Sequence, residues 1–88
     1  MIRIFPKSRA CDDRYQQGYL LMEAIFNDLV FNGNLGGLVP PGTEEVLILT
    51  DSTDTVRESA MEIWKDEPET YKYQPDDLIR FELLPDRY

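Results

Sequence analysis

Apolar and polar positions alternate along this chain in two rhythms, and the rhythms mark out its elements. Ile2-Arg3-Ile4-Phe5, ended by Pro6, reads as a short strand. From about Asp13 to Phe31 the period lengthens. Tyr15, Tyr19, Met22, Phe26 and Leu29 recur at spacings of 4, 3, 4 and 3, and Leu20, Ile25 and Val30 widen the stripe. That spacing predicts a helix with a broad buried face. Asp12 or Asp13 can cap its start, because a short carboxylate accepts the free amides of a first turn. Asn32-Gly33 is a stop signal. Gly18 interrupts the helix at a cost of about 1 kcal/mol relative to alanine, which predicts close packing there.

Residues 32–43 hold four of the five glycines and two adjacent prolines, so they read as a connection. Leu35, Leu38 and Val39 give it an apolar content that either packs back or forms a binding surface. Val46-Leu47-Ile48-Leu49 is a continuous apolar run, the pattern of a strand buried on both faces and typically parallel. Asp51 to Thr55 then lead into a second helix over about Val56 to Lys65. Thr55 and Glu58 fit a capping box, and Val56, Ala60, Ile63 and Trp64 mark the buried face. Pro68 and Pro75 break the polar segment from Asp66 to Asp77. Within it Thr70-Tyr71-Lys72-Tyr73 reads as a short edge strand. Leu78 to Leu84 reads as the last strand, closed by Pro85. The order is β-α-β-α-(β)-β. It predicts a small single α/β or α+β domain over residues 1–88, with a mixed sheet of three or four strands, some parallel pairing and two helices.

Charge changes the picture. The chain carries 17 acids, 9 bases and no histidine, a net charge of −8. Four bases and two acids lie in residues 1–20, against five bases and fifteen acids in residues 21–88. A field of that sign attracts basic partners and repels nucleic acid. The single cysteine, Cys11, allows no internal disulfide and fits a reducing compartment. No signal-peptide stretch or membrane-length apolar run is present, so a cytoplasmic protein with no membrane contact is expected. Zinc needs histidine and cysteine clusters that this sequence lacks. No cofactor is expected.

Candidate chemistry is sparse. Without histidine, a Cys11 nucleophile would depend on Arg9, Arg14 or a helix N-terminus, and Asp12 and Asp13 oppose a thiolate. The glycines of residues 33–42 have no Gly-Lys-Ser/Thr and follow a helix, so they are not a phosphate loop. A calcium loop from Asp51 to Glu62 fails at Val56, where the sharp turn needs glycine. Asp51, Thr53 and Thr55, after the apolar strand, form an Asp-x-Thr-x-Thr turn. It resembles the metal-binding turn of von Willebrand A-type domains, which implies Mg²⁺ held by a carboxylate and two hydroxyls. The resemblance covers five residues and lacks that family's other loops. The same residue types also serve a helix N-terminus, the simpler reading.

The acids of the second helix are the remaining pattern. At 100° per residue from Val56, the side chains of Glu58, Glu62 and Asp66 fall at about 200°, 240° and 280°, opposite the apolar face and about 6 Å apart along the axis. Glu67 and Glu69 extend them. Tyr71, Tyr73, Asp76 and Asp77 follow, and Asp86-Arg87-Tyr88 repeats the acid–tyrosine pairing at the end. Tyrosine is favoured in interface hot spots. The expectation is a non-catalytic protein whose partner-binding residues are Glu58, Glu62, Asp66, Glu67, Glu69, Tyr71, Tyr73, Asp76 and Asp77. They would occupy the basic surface of a nucleic-acid-binding enzyme or complex, in the manner of a nucleic-acid mimic of phage anti-defence, immunity or antitoxin type. Architecture and charge are similar in kind to barstar-like nuclease inhibitors, without a motif of that family. The alternatives are a magnesium site at Asp51, Thr53 and Thr55, or an assembly subunit using Leu35 to Val39 and Trp64 to form a homo-oligomer.

Overall fold

A computed structural model describes residues 1–9 and 12–85 of the chain. Cys11 and the segment Asp86-Arg87-Tyr88 lie outside them. The elements are strand β1 (Ile2–Pro6), helix α1 (Asp13–Phe26) running into a π-helical turn (Asn27–Asn32), strand β2 (Gly37–Leu38), strand β3 (Val46–Ile48), helix α2 (Thr53–Asp66), the short helix α3 (Pro75–Leu78) and strand β4 (Ile79–Leu83). They make a small α+β domain with one sheet ordered β2-β3-β1-β4.

Every hydrogen-bonded pair in that sheet is antiparallel. This corrects the expectation of parallel pairing, and β2 corrects the reading of residues 32–43 as a connection alone: Gly37 and Leu38 pair with Ile48 and Leu47, so the strand after α1 is β2 and not the 46–49 run. The crossovers α1 and α2 do return the chain in the starting direction, so β2 runs parallel to β1 and β4 parallel to β3. In each case, however, a strand of the other unit lies between them. This is the split β-α-β topology of ferredoxin-like domains, and such a fold by itself says nothing about function.

Ile2, Ile4 and Pro6 of β1 and Val46 and Ile48 of β3 turn their side chains under the helices, with alternate residues on the other face. The apolar run of β3 is therefore not buried on both faces, because the helices cover only one of them. Leu47 is half-buried and Leu49 is exposed. Helix α1 buries Gly18, Leu21, Met22 and Ile25 and the π turn buries Leu29, while Tyr19 and Phe26 pack at the margin and Leu20 is exposed. The stripe is thus rotated from the predicted one. The reason is Gly18: a Cβ there would lie 2.3 Å from the Leu78 carbonyl oxygen, so only glycine lets α1 approach α3 at this point. Asp12 caps α1 by accepting the Arg14 amide at 3.0 Å.

The π turn replaces the last α-turn expected before Phe31. Leu29 remains buried, and Asp28 accepts a hydrogen bond at 2.7 Å from the Ser59 hydroxyl of α2. The positive φ falls on Asn34 (59°), not on Gly33 (−95°). Helix α2 starts earlier than predicted, and its cap is Ser52, which accepts the Thr55 amide at 3.2 Å in place of the Thr55/Glu58 box. Thr70 to Tyr73 form turns, not an edge strand, and Leu78 ends α3 ahead of β4.

Candidate functional site

The outer side of α2 carries the densest charge. Val56, Ser59 and Ala60 are buried, and Ile63 and Trp64 pack against the core, which turns Glu58, Glu62 and Asp66 outward. Glu67 and Glu69 continue the exposed acids into the turn that follows. Across residues 53–69 there are six acids and two bases, Arg57 and Lys65. Among the described residues, none of these five ridge acids has a side-chain hydrogen bond or an ion pair within 4 Å. From Glu58 to Asp66 the ridge spans about 12 Å, with one charge per 6 Å or so, about half the linear charge density of a single nucleic-acid strand.

Three of the four basic residues of the N-terminal segment, Arg3, Lys7 and Arg14, face other groups. Arg14 pairs with Asp12 at 3.0 Å, and the Lys7 ammonium donates to the Asp76 carbonyl at 3.2 Å. Arg3 lies on the uncovered face of the sheet, with its Nε 3.5 Å from both Glu45 and Glu82 and in hydrogen-bonding geometry with neither. The Arg14 guanidinium and amide hold Asp12 below the usual carboxylate range.

The tyrosines expected as anchors separate. Tyr71 is 6% exposed and belongs to the core, which removes it from any surface contact. Burial, followed by the charge of Glu67, raises its phenol. It is fixed there by its neighbours: Lys72 donates its amide to the Gln17 side chain at 2.8 Å. Tyr73 is 37% exposed, with the Arg14 guanidinium 5.9 Å from its ring centre, and its carbonyl accepts the Trp64 indole N–H at 2.7 Å. Asp76 and Asp77 are exposed in the first turn of α3, with the bases Lys7 and Arg14 as neighbours. They are less available than the α2 ridge.

At the Asp51 turn the polar atoms are engaged with each other and with the chain start. The Met1 amino group donates to Asp51 Oδ1 at 2.8 Å, and the Thr55 hydroxyl donates to Ser52 Oγ at 2.9 Å. No group of three acidic, cysteine or histidine side chains among the described residues is arranged to hold a metal ion. Leu35 and Trp64, offered above as an oligomer surface, pack against the core, while Leu38 and Val39 are exposed.

One feature was not legible in the sequence. An open groove of about 680 Å³ is lined by Asp12, Asp13, Tyr15, Gln16, Tyr19, Leu20 and Glu44. The rings of Tyr15 and Tyr19 lie 6.0 Å apart, tilted at 41°. The Glu44 carboxylate at its hydroxyl pushes the Tyr15 phenol up to about 12. Carboxylates beside aromatic faces suit a cationic side chain. Glu44 reaches the groove from the connection between β2 and β3, and a pattern confined to α1 does not contain it.

No family model matches this chain, and no curated protein or solved structure matches it. No helix among the described residues is long and apolar enough to cross a membrane.

Proposed function

We propose that this protein is a non-catalytic binder that occupies a basic surface of another protein, in the class of nucleic-acid-mimicking inhibitors. The carrying observation is the α2 ridge: Glu58, Glu62, Asp66, Glu67 and Glu69 are exposed and, among the described residues, without ion-pair partners, while Arg14 and Arg3 lie against acids of their own. A positive groove built for phosphates is the complementary surface. Long-range attraction would speed encounter. The groove at Tyr15, Tyr19 and Glu44 offers a second contact, for a lysine or arginine of the same partner. Phage anti-defence proteins, immunity proteins and antitoxins are the kinds of protein that act in this way.

The test has two stages. Immobilised protein is exposed to source-cell lysate, retained proteins are eluted with salt, and a retained nucleic-acid enzyme is purified. Its binding is then measured against E58Q/E62Q/D66N and in competition with nucleic acid. The proposal requires competition, an association rate that falls with salt, and much weaker binding by the triple variant. Equal binding by that variant, or retention of no nucleic-acid-handling protein, rejects it.

A further inference from the structure

β4 is the longer edge of the sheet, five residues against two in β2 at the other edge. Lys7 donates its amide to the Leu78 carbonyl, and Leu84 donates to that of Met1. These bonds set Phe5/Arg80 and Arg3/Glu82 as the bonded pairs of the β1–β4 ladder. Antiparallel alternation then turns the backbone N–H and C=O of Phe81 and Leu83 away from β1, toward the open edge. No described strand pairs with that edge. The Ile79 amide is taken by the Pro75 carbonyl, which leaves the Ile79 carbonyl.

The sequence of β4, Ile79-Arg80-Phe81-Glu82-Leu83, is complementary to itself when reversed. We propose that two copies of this chain associate through β4, antiparallel about a two-fold axis at Phe81, forming one continuous eight-stranded sheet. That register makes Phe81 and the partner's Phe81 a bonded pair, and each Leu83 amide donates to the Ile79 carbonyl opposite. On the uncovered face Arg80 stands directly against the partner's Glu82, and the contact occurs twice. On the helix-covered side Leu83, 57% exposed in the single chain, meets the partner's Ile79. Centring the axis on Arg80 or Glu82 sets like charges against each other and uses backbone groups already bonded to β1. Opposite charges directly across a ladder stabilise it, and like charges destabilise it. Arg3, 3.5 Å from Glu82, extends the alternation to positive, negative, positive across three strands. Charge on an edge strand often guards against pairing, but here its order favours a second copy. This is an isologous contact. It rests on β4 alone and is independent of the α2 ridge.

The test uses the full chain in light scattering and sedimentation across a wide concentration range. Wild type should show a monomer–dimer equilibrium. Arg80 and Glu82 are exposed, so R80E and E82R should fold, as circular dichroism will verify. Each alone should be monomeric where wild type is dimeric, because each sets like charges across the ladder. An equimolar mixture of the two should recover dimers, since every cross-strand pair is then opposite in sign. Hydrogen exchange on wild type needs no variant: the Phe81 and Leu83 amides should gain protection as concentration rises. A monomer at all concentrations, fast exchange of both amides throughout, or a dimer untouched by R80E would overturn the proposal.

Discussion

Replacing Gly18 by alanine sets two effects of known sign against each other. Alanine in a helix interior gains about 1 kcal/mol over glycine. The new methyl, however, would lie 2.3 Å from the Leu78 carbonyl oxygen and 3.2 Å from its carbon, where real Cβ atoms stay beyond 3.0 Å. About 0.7 Å of separation must therefore be created between α1 and α3. Neither partner yields easily. The obstacle is backbone, its oxygen accepts the Lys7 amide at 2.9 Å, and the Leu78 side chain is fully buried. Overpacking of this kind costs roughly 1–3 kcal/mol and sometimes more, and a contact with backbone belongs at the upper end. The net expectation is a loss of about 1–2 kcal/mol, or roughly 5–15 °C in Tm for a domain of this size. Thermal and urea denaturation measure it, with Gln16→Ala at an exposed position of the same helix as the propensity control. If Gly18→Ala is as stable as wild type or more so, α1 does not rest on the Leu78 carbonyl and the packing argument fails.

Four further outcomes are expected. E58Q/E62Q/D66N removes three like-charge pairs at i, i+4 (Asp54/Glu58, Glu58/Glu62 and Glu62/Asp66), each costing about 0.2–0.5 kcal/mol, so Tm should rise slightly; a fall in Tm would mean that these carboxylates hold structure. Tyr71 has its phenol raised by burial, so the unfolded chain ionises first: its stabilising contribution is intact below pH 10.0, the ordinary tyrosine value, and is lost as pH climbs toward the raised value. Y71F should therefore lose less stability than wild type in that alkaline window, and spectrophotometric titration should show Tyr15 ionising near 12, with an earlier onset in E44Q. S59A removes the 2.7 Å hydrogen bond to Asp28 that ties α2 to the π turn; a charged acceptor left partly buried should cost about 1–2 kcal/mol, read from the urea midpoint, and a change within a few tenths would show the contact to be dispensable.

Local pattern predicted what depends on local pattern. The span of β1, the start of α1 and the acid face of α2 emerge from period and local pattern, because a helix places residues by angle alone; the start of α2 does not, since Ser52 and not Thr55 caps it. Pairing direction did not emerge. Strand–helix–strand order takes Val46 to Leu49 as the strand that follows α1 and so implies a parallel partner for β1; the strand that runs parallel to β1 is the two-residue β2, hidden in the expected connection, and β3 inserts antiparallel between them. The fate of Tyr71 was equally invisible: Tyr71 and Tyr73 are two residues apart in a turn, and the contacts that accompany the burial of one ring, Lys72 on Gln17 and the Tyr73 carbonyl on Trp64, join segments distant in sequence. Gly18 announced a close approach without naming Leu78 as the neighbour. The Tyr15–Glu44 groove joins segments about thirty residues apart, and neither carries a signal by itself.

An exposed glutamate costs a protein little, so the acid count alone argues weakly for function. The arrangement argues more strongly. Arg57 and Lys65 stand on the same helix as the ridge, yet neither comes within 4 Å of its carboxylates. A small domain has little stability to spare, and this ridge keeps its repulsion uncompensated. A basic partner relieves the same repulsion that neutralising the ridge relieves. The two perturbations should therefore be less than additive: a saturating partner raises Tm by mass action in wild type and raises it much less in E58Q/E62Q/D66N. A ridge that is only a solvated face gains from neutralisation and shows no such coupling. The size of that non-additivity, measured by the double cycle of variant and partner, separates an interaction surface from an incidental one.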